Sequence, residues 1–158
     1  MPRTSSAVAE EVAQAPLEMT WNIATPMTPV GFYPKFGPLP AVVGVEGQTG
    51  GWDAPGQHRT LHLSDGGTVR EEIVSVDRPA VFVYELTQFS NLFAKLVAGA
   101  RAEWRFSAHG GGTRIHWTYT FTALPGRGVI VAVIVKLFWA PYMKKVLPGI
   151  VTEVEKHA

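Results

Sequence analysis

Three side chains that could act together on a ligand, Arg59, Glu71 and Tyr84, stand at the inward-reading positions of three runs whose other inward positions are apolar. Leu61 and Leu63 accompany Arg59, Val69 and Ile73 accompany Glu71, and Phe82 and Leu86 accompany Tyr84. In extended chain, alternate side chains share a face, so the guanidinium, the carboxylate and the phenol belong to one apolar wall. Glu71 is the only carboxylate on that expected inner face. A carboxylate among apolar groups is costly unless paired, and Arg59 or the Tyr84 hydroxyl is placed to satisfy it. Two roles fit. One is a structural Arg–Glu–Tyr cluster. The other makes Glu71 an acid or base, or the polar anchor of an otherwise apolar pocket, with Tyr84 and Arg59 as the further catalytic candidates.

Other chemistries find little support. Of the five histidines, His58, His62 and His116 read as outward-facing, His109 lies in a turn and His157 at the terminus. None forms a metal-ligand spacing with carboxylates, so no metal site is expected. There is no cysteine, and no serine sits in a Gly-x-Ser-x-Gly elbow. The stretch Gly47–Gly56 holds four glycines around Trp52, but no Gly-Lys-Ser/Thr follows and no helix opens after it. It is therefore no phosphate loop. It reads as a hairpin loop with Trp52 tucked against the core, or as a lid over a pocket. No cofactor is expected.

The elements that position these groups lie in residues 57–121, which read as five antiparallel strands. The inward set continues through Trp104 and Phe106, then Ile115, Trp117, Tyr119 and Phe121. A two-residue turn at Asp77-Arg78, before Pro79, would set Ile73 opposite Phe82, Glu71 opposite Tyr84 and Val69 opposite Leu86. The His109-Gly-Gly-Gly112 turn would set Phe106 opposite Ile115, Trp104 opposite Trp117 and Ala102 opposite Tyr119. Ala100 would face Phe121. Small residues beside aromatic rings in a curved sheet leave volume suited to a planar or acyl ligand.

Around this wall, residues 1–16 are rich in Ala, Ser and Glu and read as a disordered tail, with no uninterrupted apolar stretch of the secretory kind. Leu17–Ile23 alternates and is expected as a first strand, and Ala41–Glu46 as a second. Five prolines between Ala24 and Pro40 exclude long helices, leaving one or two short helical turns, begun at Thr25-Pro26. Gln88–Val97 breaks the alternation as a bulge or short loop. Leu124-Pro-Gly-Arg-Gly128 ends the sheet, and Val129 to about Lys156 is expected as one long helix, kinked at Pro141 and Pro148. Ile130, Val133, Ile134, Leu137, Met143, Leu147, Ile150 and Val151 are its expected packing face. The plan is α+β: a curved antiparallel sheet of about seven strands wrapped around a C-terminal helix.

At 158 residues, 17–158 is expected to form a single domain. Fourteen Lys and Arg against 13 Asp and Glu give no basic field for nucleic acid. The longest apolar run, Val129–Met143, is interrupted by Lys136 and Pro141 and falls short of the roughly 20 residues of a spanning helix. The absence of cysteine agrees with a reducing compartment, and a cytoplasmic location is the expectation.

The order of Pro55-Gly-Gln-His-Arg-Thr-Leu-His-Leu-Ser-Asp-Gly66, Val69-Arg-Glu-Glu72, Asp77-Arg-Pro79 and Val83-Tyr-Glu-Leu86 resembles the SRPBCC (START-like) superfamily. Ala102-Glu-Trp-Arg-Phe106, Gly112-Thr-Arg-Ile-His-Trp117 and Tyr119-Thr-Phe121 resemble its polyketide cyclase, dehydrase and lipid-transport branch. The resemblance spans roughly residues 17–156. It implies a helix-grip fold, shared with START lipid-transfer domains and the birch-pollen allergen, enclosing a hydrophobic cavity between sheet and terminal helix. The superfamily holds binders, carriers and enzymes on one scaffold.

The expected partner is thus a hydrophobic small molecule: a lipid, a polyketide or another aromatic or acyl compound. Its expected contacts are Trp52, Leu61, Glu71, Ile73, Phe82, Tyr84, Ala102, Trp104, Trp117, Tyr119, Val133 and Leu137. The alternatives are a cyclase or dehydratase using Glu71, Tyr84 or Arg59, and a ligand-free interaction module whose apolar helix docks on a partner or makes transient contact with a membrane. The oligomeric state is left open.

Overall fold

Alternating apolar positions build seven strands: β1 (Thr4–Ala13), β2 (Val42–Glu46), β3 (His58–Leu63), β4 (Thr68–Asp77), β5 (Val81–Thr87), β6 (Val97–His109) and β7 (Gly112–Ala123). In the computed structural model, which describes residues 3–158, they form one antiparallel sheet in the order β1-β7-β6-β5-β4-β3-β2. The helices are α1 (Leu17–Ala24), a 3₁₀ turn (Asn91–Lys95), α2 (Gly128–Ile134) and α3 (Ala140–Glu155), the last two joined by a π-helical turn (Val135–Trp139). The curved sheet and its long C-terminal helix make the helix-grip fold.

The beginning of the chain departs from expectation in two linked ways. Residues 4–13, expected as a disordered tail, form the edge strand β1, paired with β7 from Thr4↔Thr122 to Ala13↔Thr113. Its inward side chains, Ala7, Ala9 and Ala13, are buried but small, and α3 packs against this strand. Residues 17–23, expected as a strand, are helical instead. Leu17, Trp21 and Ala24 satisfy a helical repeat as well as Met19, Trp21 and Ile23 satisfy an alternating one. Thr20 donates its backbone N–H to the Pro16 carbonyl at 2.9 Å and its hydroxyl to the same oxygen at 3.0 Å. Trp21 is buried edge-on against Phe82 and Phe106. The proline-rich stretch that follows carries turns and a Phe36–Leu39 bridge rather than helix.

The β6–β7 register agrees with the reading from the glycine turn: Ala100↔Phe121, Ala102↔Tyr119, Trp104↔Trp117 and Phe106↔Ile115. The β4–β5 register does not. Glu71 pairs with Leu86 and Ile73 with Tyr84, with a bulge between Ile73 and Ser75. The turn is longer than two residues, closing with the Ala80 N–H on the Asp77 carbonyl at 2.7 Å, and β5 starts only at Val81. The displacement past the bulge is two residues. An even shift preserves faces, so Glu71 and Tyr84 remain on the concave side although they are no longer opposite one another.

The π turn resets the phase of the terminal helix. Carried back from Leu147 and Met143 at ordinary α spacing, the inward positions would be near 140, 136–137, 133 and 129. Trp139 keeps the α spacing from Met143, and one extra residue in the turn before it moves the earlier inward positions to Val135 and Val131. Val131 and Val135 are accordingly buried, while Val133 is 47% exposed and Leu137 57%.

Candidate functional site

Concave side chains of β3–β7, the proline-rich segment and the terminal helix enclose a cavity of about 100 Å³. Twelve of its lining residues are aromatic, and among the described residues Arg59 and Glu71 are its only charged ones. Such a wall offers large apolar contact with one polar point of reference.

That point is built across β3 and β4, where Arg59 and Glu71 are direct cross-strand partners. Arg59 donates Nε–H to Glu71 Oε1 at 2.8 Å, and the two side chains are each 5% exposed. Arg59 also donates Nη1–H to Gln48 Oε1 at 3.3 Å, and its guanidinium lies 4.0 Å from the centroid of the Trp52 ring. A charge facing an aromatic ring is stabilised by the ring quadrupole, so Trp52 and Gln48 share in holding the cation. Trp52 itself is buried, with a left-handed backbone (φ 59°) in its glycine-rich loop. Burial pushes the Glu71 carboxyl above its ordinary value, outweighing the opposing pull of Arg59.

Tyrosines stand across from this pair. Trp104 donates Nε1–H to the Tyr84 hydroxyl at 3.5 Å. Burial, joined by the field of Glu71, pushes the Tyr84 phenol far above its ordinary value, and burial does the same to Tyr33 and Tyr119. These phenols therefore keep their protons at ordinary pH and act as neutral hydrogen-bond donors, not bases. The Trp139 indole lies 4.7 Å from Tyr119 and 5.1 Å from Phe121 by centroid. Its Nε1–H is buried with no acceptor among the described residues.

Of the residues expected to meet a ligand, Trp52, Leu61, Glu71, Phe82, Tyr84, Trp104 and Tyr119 line the cavity, as does Arg59. Ile73, Ala102 and Trp117 are fully buried but lie outside the lining. Trp117 sits behind Trp104, stacked at 4.6 Å. Val133 and Leu137 are turned to solvent by the π turn. Sequence reasoning missed Met27, Phe32 and Tyr33 from the proline-rich cover, Phe89 before the 3₁₀ turn and Phe93 within it, and Trp139 and Tyr142 from the helix. The clustering of aromatic residues among prolines was the available signal for the cover.

A family sequence profile described as "Polyketide cyclase / dehydrase and lipid transport" matches residues 3–155, including β1. The chain belongs to that family. Solved structures agree with its fold at low identity. The ZhuI aromatase/cyclase from Streptomyces sp. R1128 superposes with a TM-score of 0.72 at 15% identity, covering 98% of this chain and 96% of that one. Norcoclaurine synthase from Thalictrum flavum, in complex with dopamine and hydroxybenzaldehyde, gives 0.70 at 12% identity over 99% and 90%. Ara h 8.0201 gives 0.61 at 17% identity over 98% and 97%. No curated protein sequence matches the chain. Family membership points to a hydrophobic-ligand or cyclase role in general terms.

Proposed function

We propose that this family member binds a small, ring-bearing hydrophobic molecule carrying an oxygen acceptor, in the cavity between sheet and terminal helix. The observation that carries this reading is the cavity wall: rich in aromatic rings, with the Arg59–Glu71 pair as its charged point and the Trp139 N–H left without an acceptor. An apolar lining alone would take any grease that fits. A buried donor without a partner costs free energy until a ligand oxygen engages it, which favours a carbonyl or phenol over a hydrocarbon. The volume argues for size. About 100 Å³ is several times what one water occupies and of the order of a single ring, so a longer lipid or polyketide requires the cover of residues 25–40 to move.

A second reading, catalysis of the cyclase or dehydratase type, is supported by one feature. Glu71, with its carboxyl raised by burial, shares the cavity with tyrosines that stay protonated. That combination supplies a base for an acidic C–H and donors for the enolate oxygen that forms. Arg59 would hold Glu71 in position.

Two measurements test the binding reading. Native mass spectrometry of the purified protein is expected to show a retained small molecule. Quenching of tryptophan fluorescence is expected on titration with acetophenone or p-cresol, more strongly than with ethylbenzene. An empty protein that responds to none of the three would overturn the reading. Turnover of a reactive poly-β-carbonyl thioester, lost in Glu71→Gln, would establish the second reading in addition.

A further inference from the structure

The terminal helix changes surface character at the π turn. Outward positions of α3 are Lys144, Lys145, Pro148, Gly149 and Thr152, an ordinary solvated face. Those of the preceding segment are Val129, Ile130, Val133 and Leu137, exposed by 67, 48, 47 and 57%, relieved only by Ala132 and Lys136. A helix on a soluble surface normally turns polar residues outward, and a contiguous apolar ridge marks a contact. Leu92, 49% exposed, belongs to the 3₁₀ turn beside it. Arg127 ties the two by donating Nε–H to the Lys95 carbonyl at 3.3 Å.

The charges around the ridge are basic but for Asp65. Between Glu103 and Glu153 the sequence contains no acidic residue. Arg127 and Lys136 flank the ridge, Lys95 ends the 3₁₀ turn, and the Arg3 side chain lies against Gly128 at the start of α2. Asp65, linked to the 3₁₀ turn through Asn91, has its carboxylate engaged by the Gly67 N–H at 2.8 Å.

We infer that this ridge docks on the surface of an anionic lipid membrane. Aliphatic side chains on a helix enter the boundary between headgroups and acyl chains, while Lys and Arg beside them reach lipid phosphates. A second copy of the chain fits worse, since it would bring Arg127 and Lys136 against their own likenesses. A protein partner fits worse too, because such contacts centre on aromatic or arginine anchors seated in pockets, and this is a convex row of Val, Ile and Leu. No helix among the described residues is long and apolar enough to cross a membrane, so the contact is peripheral. Val135, Trp139 and Phe93 lie directly behind the ridge, where they line a small second pocket of about 10 Å³, and Trp139 and Phe93 also line the main cavity. Docking thus sets the cavity beside the bilayer, although the inference stands whether or not the cavity takes a ligand.

The test is flotation of the full chain with vesicles of phosphatidylcholine alone or with phosphatidylserine added. Binding is expected to the mixed vesicles, to weaken with salt, and to fall about tenfold or more in the Val133→Ser, Leu137→Ser double variant. Both positions are exposed, so the melting temperature and the cavity's response to acetophenone should be unchanged. A Lys136→Gln, Arg127→Gln variant should lose the preference for phosphatidylserine. Failure of the wild-type chain to bind at low salt, or equal binding by the serine variant, overturns the inference. So does a wild-type dimer, seen by sedimentation, that the serine substitutions convert to monomer, since that assigns the ridge to a second copy.

Discussion

Replacing Glu71 by Gln separates a ligand anchor from a scaffold ion pair, because the two roles give opposite signs of stability change at neutral pH. Gln keeps the shape and one oxygen for the Arg59 Nε–H, while Gln48 and the Trp52 ring continue to hold the guanidinium. Burial raises the Glu71 carboxyl above its ordinary value of 4.5 in the folded protein. Above pH 4.5 the unfolded chain has released a proton that the folded chain still holds. The stability this gives is complete below the ordinary value and is lost as pH rises through the folded one. The loss runs at about 1.4 kcal/mol per pH unit across that interval, or roughly 3 to 6 °C in Tm for a chain of this length. Gln has no such loss. Melting followed by circular dichroism should therefore show the variant and wild type together in acid, with the variant gaining on the wild type as pH rises past 4.5. Over the same series, affinity for p-cresol, whose hydroxyl can donate to Glu71, should drop about tenfold in the variant through loss of a charge-assisted hydrogen bond. A variant that instead melts lower at neutral pH, by the roughly 3 kcal/mol or more of a broken buried ion pair, and binds p-cresol normally, would refute this reasoning and leave Glu71 as scaffold.

Trp139→Phe keeps a ring in the wall and deletes the unpartnered N–H, so discrimination by fluorescence titration between acetophenone and ethylbenzene should shrink about fivefold. Gly112→Ala would drive a methyl group into the Ala13 carbonyl and should cost about 2 kcal/mol in urea denaturation; Gly111→Ala, which meets nothing within 4 Å, should be near neutral. Deleting residues 1–13 removes β1 and bares the edge of β7. Loss of cooperative melting with aggregation is expected, and a deletion variant that melts normally would show that the strand is dispensable.

What the sequence made legible follows from how strongly each local pattern excludes its rivals. From Ala100 to Phe121, apolar inward residues alternate with polar or charged ones across a short glycine turn, and every pairing read there matches. At β4–β5 the turn residues were ambiguous and the bulge at Ile73–Ser75 left no mark in the pattern, so the register moved while the face held. β1 hid because its inward residues are alanines, whose burial saves little and whose composition looks like a tail. The Arg59–Glu71 pair was readable because a carboxylate on an apolar face calls for a cation. The cover was not, since proline-rich chain has no period to read, and the burial of Val131 and Val135 was hidden by a change of helical phase that no residue type announces.

That change of phase joins two properties that selection would otherwise treat separately. The extra residue in Val135–Trp139 turns Val131 and Val135 inward behind the cavity wall and, by the same rotation, pushes Val129, Val133 and Leu137 outside. Point substitution can repaint either surface but cannot undo the rotation; deletion of one residue within the segment would reverse both together. Family members that differ by a single-residue gap at this place should therefore differ at once in what packs behind their cavities and in what their outer helices touch. The length of this segment, more than the identity of any one side chain in it, is the character to compare among them.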